Sequence, residues 1–231
     1  MTGLVDIDER EPPPLPTSLT EHAYHYLRQA ILSGRLAVGA PLRQEKISSE
    51  LGISRLPVRE ALRRLDTEGL VVLRPRRGYF VALLDTSEIE ELFDIRALLE
   101  TRAGYLAAIH RTDTDIKELS EILDSLEQIA SVKPLDVSMF FKTNRLFHQR
   151  LFASSKRKHL CRLLGSVQDS VDPYIRMTAN ISSLEASQQD HRDLFEALKA
   201  GDGDLVARLC REHCENSCTR LIGLMRKVEQ S

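Results

Sequence analysis

Apolar residues recur at helical spacing along most of the chain. Near the start, Ala23, Leu27 and Ile31 repeat every four positions, so one face of this segment is apolar and we predict a helix. Further on, two short runs rich in β-branched and aromatic residues flank a glycine-containing turn, which predicts a β-hairpin. In the first part of the chain we therefore predict helices at about 20–33, 44–51 and 55–68 and strands at about 70–73 and 79–82.

From about residue 87 the pattern changes to long amphipathic helices with almost no strand signal. The polar stretch 85–87 predicts a boundary between a first domain at 18–84 and a second at 85–231. Residues 1–17 are acidic and then proline-rich, which is typical of a disordered leader. Short connections in the second domain favour an all-α bundle, so the fold is predicted to be mainly α. The six helices of that bundle are expected at about 87–110, 114–131, 136–153, 156–180, 184–200 and 202–228.

Charge divides the chain at the same boundary. Residues 17–84 hold 11 Lys and Arg against 6 Asp and Glu, whereas residues 85–231 hold 20 against 24. A basic module joined to an acidic one indicates that the first domain binds a polyanion. No apolar run approaches the roughly 20 residues of a membrane span, and the N-terminus has no hydrophobic signal core. We therefore expect a cytoplasmic protein without a membrane partner, in which the four cysteines are free thiols.

The third predicted helix carries a basic stripe. Arg55, Arg59 and Arg63 recur every four residues, on a different face from the apolar positions. Gly52 permits a sharp turn before this helix, and Ser54 is a suitable N-cap. A helix that presents basic residues from its N-terminus after such a turn is the recognition helix of a helix-turn-helix. With the hairpin added, the first domain is predicted to be a winged helix-turn-helix. The alternative for this stripe is a solvated charged face.

Three histidines lie on apolar helical faces: His148, His191 and His213. Asn144 is one turn before His148, so both side chains point the same way. The four side chains can converge on one divalent metal, since imidazole suits zinc, nickel and similar ions. The alternative is that each histidine is a core residue whose nitrogens are satisfied by protein partners.

Arg96 falls on the apolar face of its helix, where an arginine needs an anion. That anion is either a nearby Glu or Asp or the carboxylate of a small ligand held in bidentate fashion. Cys210, Cys214 and Cys218 form one face of the last helix. They are either small core residues, which we favour, or a thiolate metal or redox site.

The first domain contains the motifs LGISR at 51–55, PVREALRRL at 57–65 and EGLV at 68–71. With these motifs it closely resembles the DNA-binding domain of GntR-family transcriptional regulators. One departure is Leu56, because the family has a small hydroxyl residue there. Leucine can make only apolar contact, for instance with a thymine methyl group. The DNA-binding residues that we predict are Arg43, Ser54, Arg55, Leu56, Pro57, Arg59, Arg63, Arg76, Arg77 and Gly78.

The second domain contains the motifs FDIRALLE at 93–100, NRLFH at 144–148 and HRDLFEAL at 191–198, followed by His213. With these motifs it resembles the effector-binding FCD domain of the FadR-like branch of this family. The resemblance implies a divalent metal, zinc, nickel or manganese, bound by Asn144, His148, His191 and His213. It also implies a small organic-acid effector, for which Arg96 is the candidate clamp.

Together these features predict a ligand-responsive transcriptional repressor that binds a palindromic DNA operator as a homodimer and is released by a small carboxylate. One alternative is a metal sensor, in which the ion itself is the signal. A remote alternative is a metal-dependent hydrolase with water on an open metal. Against an enzyme, no convincing general base accompanies the metal ligands in the sequence.

Overall fold

The computed structural model describes the backbone of residues 18–178 and 181–229, and the side chains of 18–176 and 187–226. The leader predicted at 1–17 lies outside the described residues. Within them, the chain forms nine helices and three short strands, which confirms the mainly α fold. No helix in these ranges is long and apolar enough to cross a membrane.

The first part is a winged helix-turn-helix with a three-stranded antiparallel sheet in the order β1-β3-β2. The predicted hairpin is β2 and β3. For residues 39–42 the sequence predicts a turn with a short extended piece, but it does not show that Pro41 and Leu42 pair with β3, because two residues are too few to show an alternating pattern. The elements are α1 Leu19–Leu32, β1 Pro41–Leu42, α2 Gln44–Leu51, α3 Arg55–Thr67, β2 Val71–Arg74 and β3 Gly78–Val81.

The turn between α2 and α3 places the third helix. Gly52 adopts a left-handed conformation with φ of 65°, and its N–H closes the end of α2. Ser54 occupies the N-cap position of α3, but its side chain makes no capping hydrogen bond there, so the predicted hydroxyl cap is wrong. Burial fixes the helix instead: Val58 and Leu62 are 0% exposed and pack in the core of this part.

The second part is a bundle of six helices, as predicted. Capping boxes begin its first two helices: Asp85 with Glu88, and Thr112 with Asp115. The fourth helix of the bundle begins at Lys158, two residues later than predicted, and the fifth begins at Ile181, three residues earlier than predicted. The helices are α4 Thr86–His110, α5 Asp113–Ser131, α6 Val137–Ala153, α7 Lys158–Thr178, α8 Ile181–Ala200 and α9 Gly203–Glu229.

The helices α4 and α9 approach closely at Gly104. A Cβ atom added to Gly104 would lie 2.7 Å from Cys210 Sγ and 3.0 Å from Val206 Cγ1. Only a residue without a side chain allows this approach. Because the two helices are held together here, residues on their facing sides, Arg96 on α4 and His213 on α9 among them, are brought around one cavity.

Two sets of contacts join the winged part to the bundle. The Tyr174 hydroxyl on α7 donates to Ala82 O at 2.9 Å and accepts from Leu84 N–H at 2.7 Å. On the same helix, Asp169 forms an ion pair with Arg28 of α1. Both contacts fix the first part against α7.

Candidate DNA interface and ligand pocket

The start of α3 is a solvent-facing basic surface. The side chains of Arg55 and Arg59 are 68% and 58% exposed, and Leu56 between them is 59% exposed. An exposed leucine among arginines has no packing role in the described chain. The position therefore fits the predicted apolar contact with a base pair.

A surface groove connects this helix to the wing. It is lined by Arg43 at the start of α2, Arg55 of α3, and Arg77 and Gly78 of the wing. Arg76, at the tip of the wing, is exposed and has a positive φ of 63°. The fold thus gathers basic residues that are far apart in the sequence onto one surface, as phosphate contacts require.

Pro57 and Arg63 are placed differently from expectation. Pro57 is buried and faces the core, so its role is to shape the first turn of α3. Arg63 lies outside the groove, beside Glu60 and Thr67. Arg55 is paired with Glu45 at 3.1 Å, an exposed contact that DNA phosphate can replace.

In the bundle, the three histidines converge. His148 of α6, His191 of α8 and His213 of α9 are at most 6% exposed, and one ring nitrogen of each lies within 4.8 Å of the other two. The Nε2 atoms of His148 and His191 are 3.2 Å apart. These residues come from three helices, so the convergence is a property of the fold and not of local spacing.

Neighbouring polar groups orient two of the rings. Asp190 Oδ2 lies 3.0 Å from His213 Nδ1, and Gln188 Oε1 lies 3.2 Å from His191 Nδ1. When each acceptor accepts a hydrogen bond from Nδ1–H, the Nε2 lone pair of that ring is free for a ligand. A carboxylate or amide behind a histidine is the usual support of a metal-binding imidazole.

The protonation of the histidines follows from their burial. Burial, followed by the nearby charges of His213, Arg96 and Arg145, lowers the pKa of His148 well below 6.5. Burial likewise lowers the pKa of His191, with smaller contributions from charged neighbours. Both rings are therefore neutral near pH 7, which is the form that binds a metal.

Asn144 supplies an unpaired oxygen beside this cluster. Its Oδ1 atom is buried and has no hydrogen-bond partner among the described residues. A buried amide oxygen without a partner is costly, and a cation or a ligand donor removes that cost. The donor set of Asn144 and three imidazoles thus fits a divalent ion such as zinc, nickel or manganese.

Arg96 has the internal carboxylate partner that its sequence position allowed, and one nitrogen besides. Its Nε and Nη2 atoms lie 3.1 and 3.0 Å from Glu100 Oε1, so the expected internal salt bridge exists. Its Nη1 atom is buried and has no partner among the described residues. Glu100 is further satisfied by Gln168 Nε2 at 3.2 Å and Cys214 Sγ at 3.1 Å. The Nε and Nη2 edge of the guanidinium is therefore fixed, and the Nη1 N–H groups remain for an anion.

A single cavity of about 90 Å³ joins these groups. Arg96, Asn144, His148 and His213 line it together. His191 lies behind them and is fully buried. Sequence reasoning missed several polar residues of this site, although Asp190 and Gln188 stand one and three positions before His191. The missed residues are Arg145, Gln168, Asp172, Gln188, Asp190 and Arg220.

The cysteines pack as core residues. Cys210 and Cys214 are buried, and burial raises the pKa of both thiols well above 9.0. Neutral thiols are poor metal ligands and poor redox nucleophiles. In the described part of the chain, the residues that gather with metal-binding geometry are the three histidines and no cysteine.

This geometry defines the class of protein: a DNA-binding transcriptional regulator with a separate helical domain around a pocket. Sequence profiles agree, since that of the gntR family of bacterial regulatory proteins matches residues 19–81 and that of the FCD domain matches residues 91–216. The chain belongs to the GntR family of transcriptional regulators and carries an FCD domain. Its homologues and fold are those of regulators and not of enzymes, which excludes the hydrolase alternative.

Individual relatives cover most of the chain. A probable D-xylose utilization operon transcriptional repressor of Paenarthrobacter nicotinovorans is 30% identical over 198 residues, 85% of this chain and 86% of that protein. The repressor RspR of Escherichia coli K12 is 28% identical over the same shares. The solved structure of E. coli McbR/YncC superposes with a TM-score of 0.77 at 28% identity, covering 88% of this chain and 97% of that one.

Proposed function

We propose that this protein is a cytoplasmic transcriptional repressor that binds a palindromic operator as a homodimer and is released by a small organic acid. The observation that carries the ligand-responsive part is the pocket, where the unpaired Nη1 of Arg96 and the unpaired Oδ1 of Asn144 are both buried. A ligand that occupies the site gives both groups the partners that they lack in the protein. The first two relatives are named as repressors, which supports the same sign of regulation here.

The chemistry of Arg96 favours an acid over a neutral sugar. A guanidinium N–H that has lost water is best satisfied by a carboxylate oxygen. One relative is named for D-xylose utilization, but a neutral sugar brings no charge to this position. In this proposal, Asn144, His148, His191 and His213 hold a divalent ion, which supplies a positive centre for the acid. The protein residues orient the acid and exclude water around it.

Exposed apolar side chains on α4 offer a surface for the homodimer interface. Ile95 and Leu98, three positions apart on one face, are 37% and 64% exposed. Adjacent exposed apolar side chains on a helix are typical of an interface. A dimer is also needed for specificity, because one recognition helix covers only a few base pairs.

Selection of bound DNA from a random pool tests the DNA-binding proposal. The full-length chain should return an inverted repeat, and its affinity for that duplex should fall when a matching acid is added. Return of a single half-site bound by a monomer would contradict the dimer.

The three-histidine cluster also favours a second candidate function, a metal sensor. In that case zinc or nickel alone changes operator affinity, and acids add nothing.

A further inference from the structure

The pocket is lined by two chemically different sets of side chains. The polar set includes Arg96, Asn144, His148 and His213. The apolar set, called the apolar wall below, consists of Phe140, Phe141, Ile175, Leu221 and Leu224. A ligand that contacts both sets has its body restricted by the apolar wall and its head restricted by Arg96.

Resting on the proposed acid effector, we propose that the ligand is a small monocarboxylate with an apolar body. A hydroxyl group placed against the apolar wall loses its water partners and gains none, which costs about tenfold in affinity per group. A second carboxylate placed there costs more still, because a charge loses more on leaving water than a hydroxyl does. Sugar acids and dicarboxylates are therefore disfavoured.

Titration calorimetry on the metal-loaded full-length chain tests this with four probes, chosen so that pairs of them match in charge or in shape. Phenylacetate should bind at least ten times more tightly than gluconate. Phenylacetamide, which lacks the charge, should bind at least ten times more weakly than phenylacetate. The half-buried Leu224→Asn variant should weaken phenylacetate at least fivefold and leave acetate within twofold, because acetate has no body to reach the wall.

The outcomes separate this inference from the function on which it rests. If gluconate binds as tightly as phenylacetate, or Leu224→Asn leaves phenylacetate unchanged, the apolar-body inference is wrong while an acid effector stands. If none of the acids binds the wild-type chain, both are wrong.

A different observation supports a second inference. Asp169 on α7 is shared by two arginines: its Oδ2 pairs with Arg28 of the DNA-binding part and its Oδ1 pairs with Arg145 of α6. Arg145 lines the ligand cavity. The Asp169 side chain is 10% exposed, so its two ion pairs are little screened by water. One carboxylate thus connects the cavity to α1.

We infer that Arg28, Asp169 and Arg145 couple the pocket to the DNA-binding part. When an anion in the cavity draws Arg145 away, Asp169 loses that ion pair and pairs with Arg28 alone. The strength of the contact between the bundle and α1 then changes. Coupling requires an element whose state both sites influence, and the shared carboxylate is such an element. This inference also rests on the proposed function, but it needs no identified effector for its test.

A double-mutant cycle on operator affinity tests the coupling, using a duplex that the wild-type chain selects from a random pool. Arg145→Gln removes the pocket partner of Asp169 and should change the operator Kd at least fivefold, although Arg145 lies in the bundle. In an Arg28→Gln background the same change should alter the Kd less than twofold. Asp169→Asn should likewise abolish the effect of Arg145→Gln.

Arg176→Gln is the matched control, because Arg176 is a partly buried arginine that stacks on Phe141 and has no ion pair with Asp169. It should leave the operator Kd within twofold. Thermal melts check that each variant is folded. An unchanged Kd in Arg145→Gln, or equal effects with and without Arg28, would overturn the coupling. Operator binding by the wild-type chain would then still support the proposed function.

Discussion

The Nε2 atoms of His148 and His191 lie 3.2 Å apart inside the helical bundle. Two neutral imidazoles at this distance can share one proton in a hydrogen bond, or both can direct lone pairs at a cation. His213, with Asp190 behind it, adds a third nitrogen to the same point. The buried, unpaired oxygen of Asn144 favours the cation, since a hydrogen-bonded histidine pair leaves that oxygen unsatisfied.

Metal should therefore stabilise the fold. At a metal concentration about 100 times the Kd, ligand linkage adds about 2.7 kcal/mol to the free energy of unfolding. Thermal melts with zinc, nickel and manganese, together with elemental analysis of protein purified without chelator or affinity metal, measure this. The His148→Ala, His191→Ala double variant should lose the shift. Absence of bound metal, with equal melting of both proteins in every metal, rules the site out.

Without metal, the stability of the protein should fall as pH decreases below about 6.5. The unfolded chain binds protons at His148 and His191 near that pH, whereas burial lowers the pKa of both residues in the folded state, so they stay neutral. Because the unfolded state then holds more protons, each residue removes up to about 1.4 kcal/mol per pH unit. Chemical unfolding in chelator between pH 5 and 8 measures the slope.

The matched comparison for this slope is a His148→Leu, His191→Leu double variant, with the exposed His22→Gln as control. The double variant should show a flatter dependence below pH 6.5, and the control should follow the wild type. Equal slopes in all three proteins would mean that the buried histidines do not set the pH dependence.

Arg96 should matter for the fold and for acid binding in separable ways. Arg96→Met leaves Glu100 buried without its ion pair and should cost about 3–5 kcal/mol. Adding Glu100→Gln removes the unpaired charge, so the double variant should recover much of that loss. Neither variant should bind acids, since both lack the Nη1 donor. Urea unfolding and acid titration measure the two effects, and acid binding by the double variant would exclude Arg96 as the clamp.

Arg59 should read sequence, whereas Arg77 should contact phosphate. Arg59→Ala should weaken binding to the selected operator by about 1–3 kcal/mol and relax preference at one base pair. Arg77→Ala should weaken all sequences alike and reduce the slope of log K against log salt by about one. Binding assays over a panel of single-base operator variants and several salt concentrations distinguish the two. Wild-type affinity in Arg59→Ala would mean that α3 does not read DNA.

Local patterns predicted the helices well, because each buries an apolar stripe of regular spacing. The same spacing showed that Arg96 faces inward and needs an anion, and the structure identifies that anion as Glu100, one turn later. Contacts between residues far apart in the chain could not be predicted from the sequence. The strand β1 has two residues and forms only against β3. Arg28 and Asp169 are 141 positions apart, and residues that form single ion pairs leave no periodic signal in the sequence.

Two local expectations failed because tertiary structure decided them. Ser54 occupies the cap position, yet its hydroxyl does not cap, and α3 is held by its buried face instead. Pro57 belongs to a motif of DNA-binding proteins, but it is buried and acts by shaping the helix start. A family motif identifies positions that are needed for DNA binding. It does not distinguish the residues that contact DNA from the residues that shape the helix carrying them.

The central claim is that occupancy of the pocket controls operator binding. The most direct measurement is the operator Kd of the metal-loaded full-length chain, with and without a saturating acid. The acid is one that calorimetry shows to bind. The same two Kd values are measured for the Arg96→Met, Glu100→Gln double variant. We predict that the acid changes the wild-type Kd by about 5–150-fold, the usual range of allosteric coupling, and leaves that of the double variant unchanged. An acid that binds the pocket and leaves the wild-type operator Kd unchanged would contradict the account.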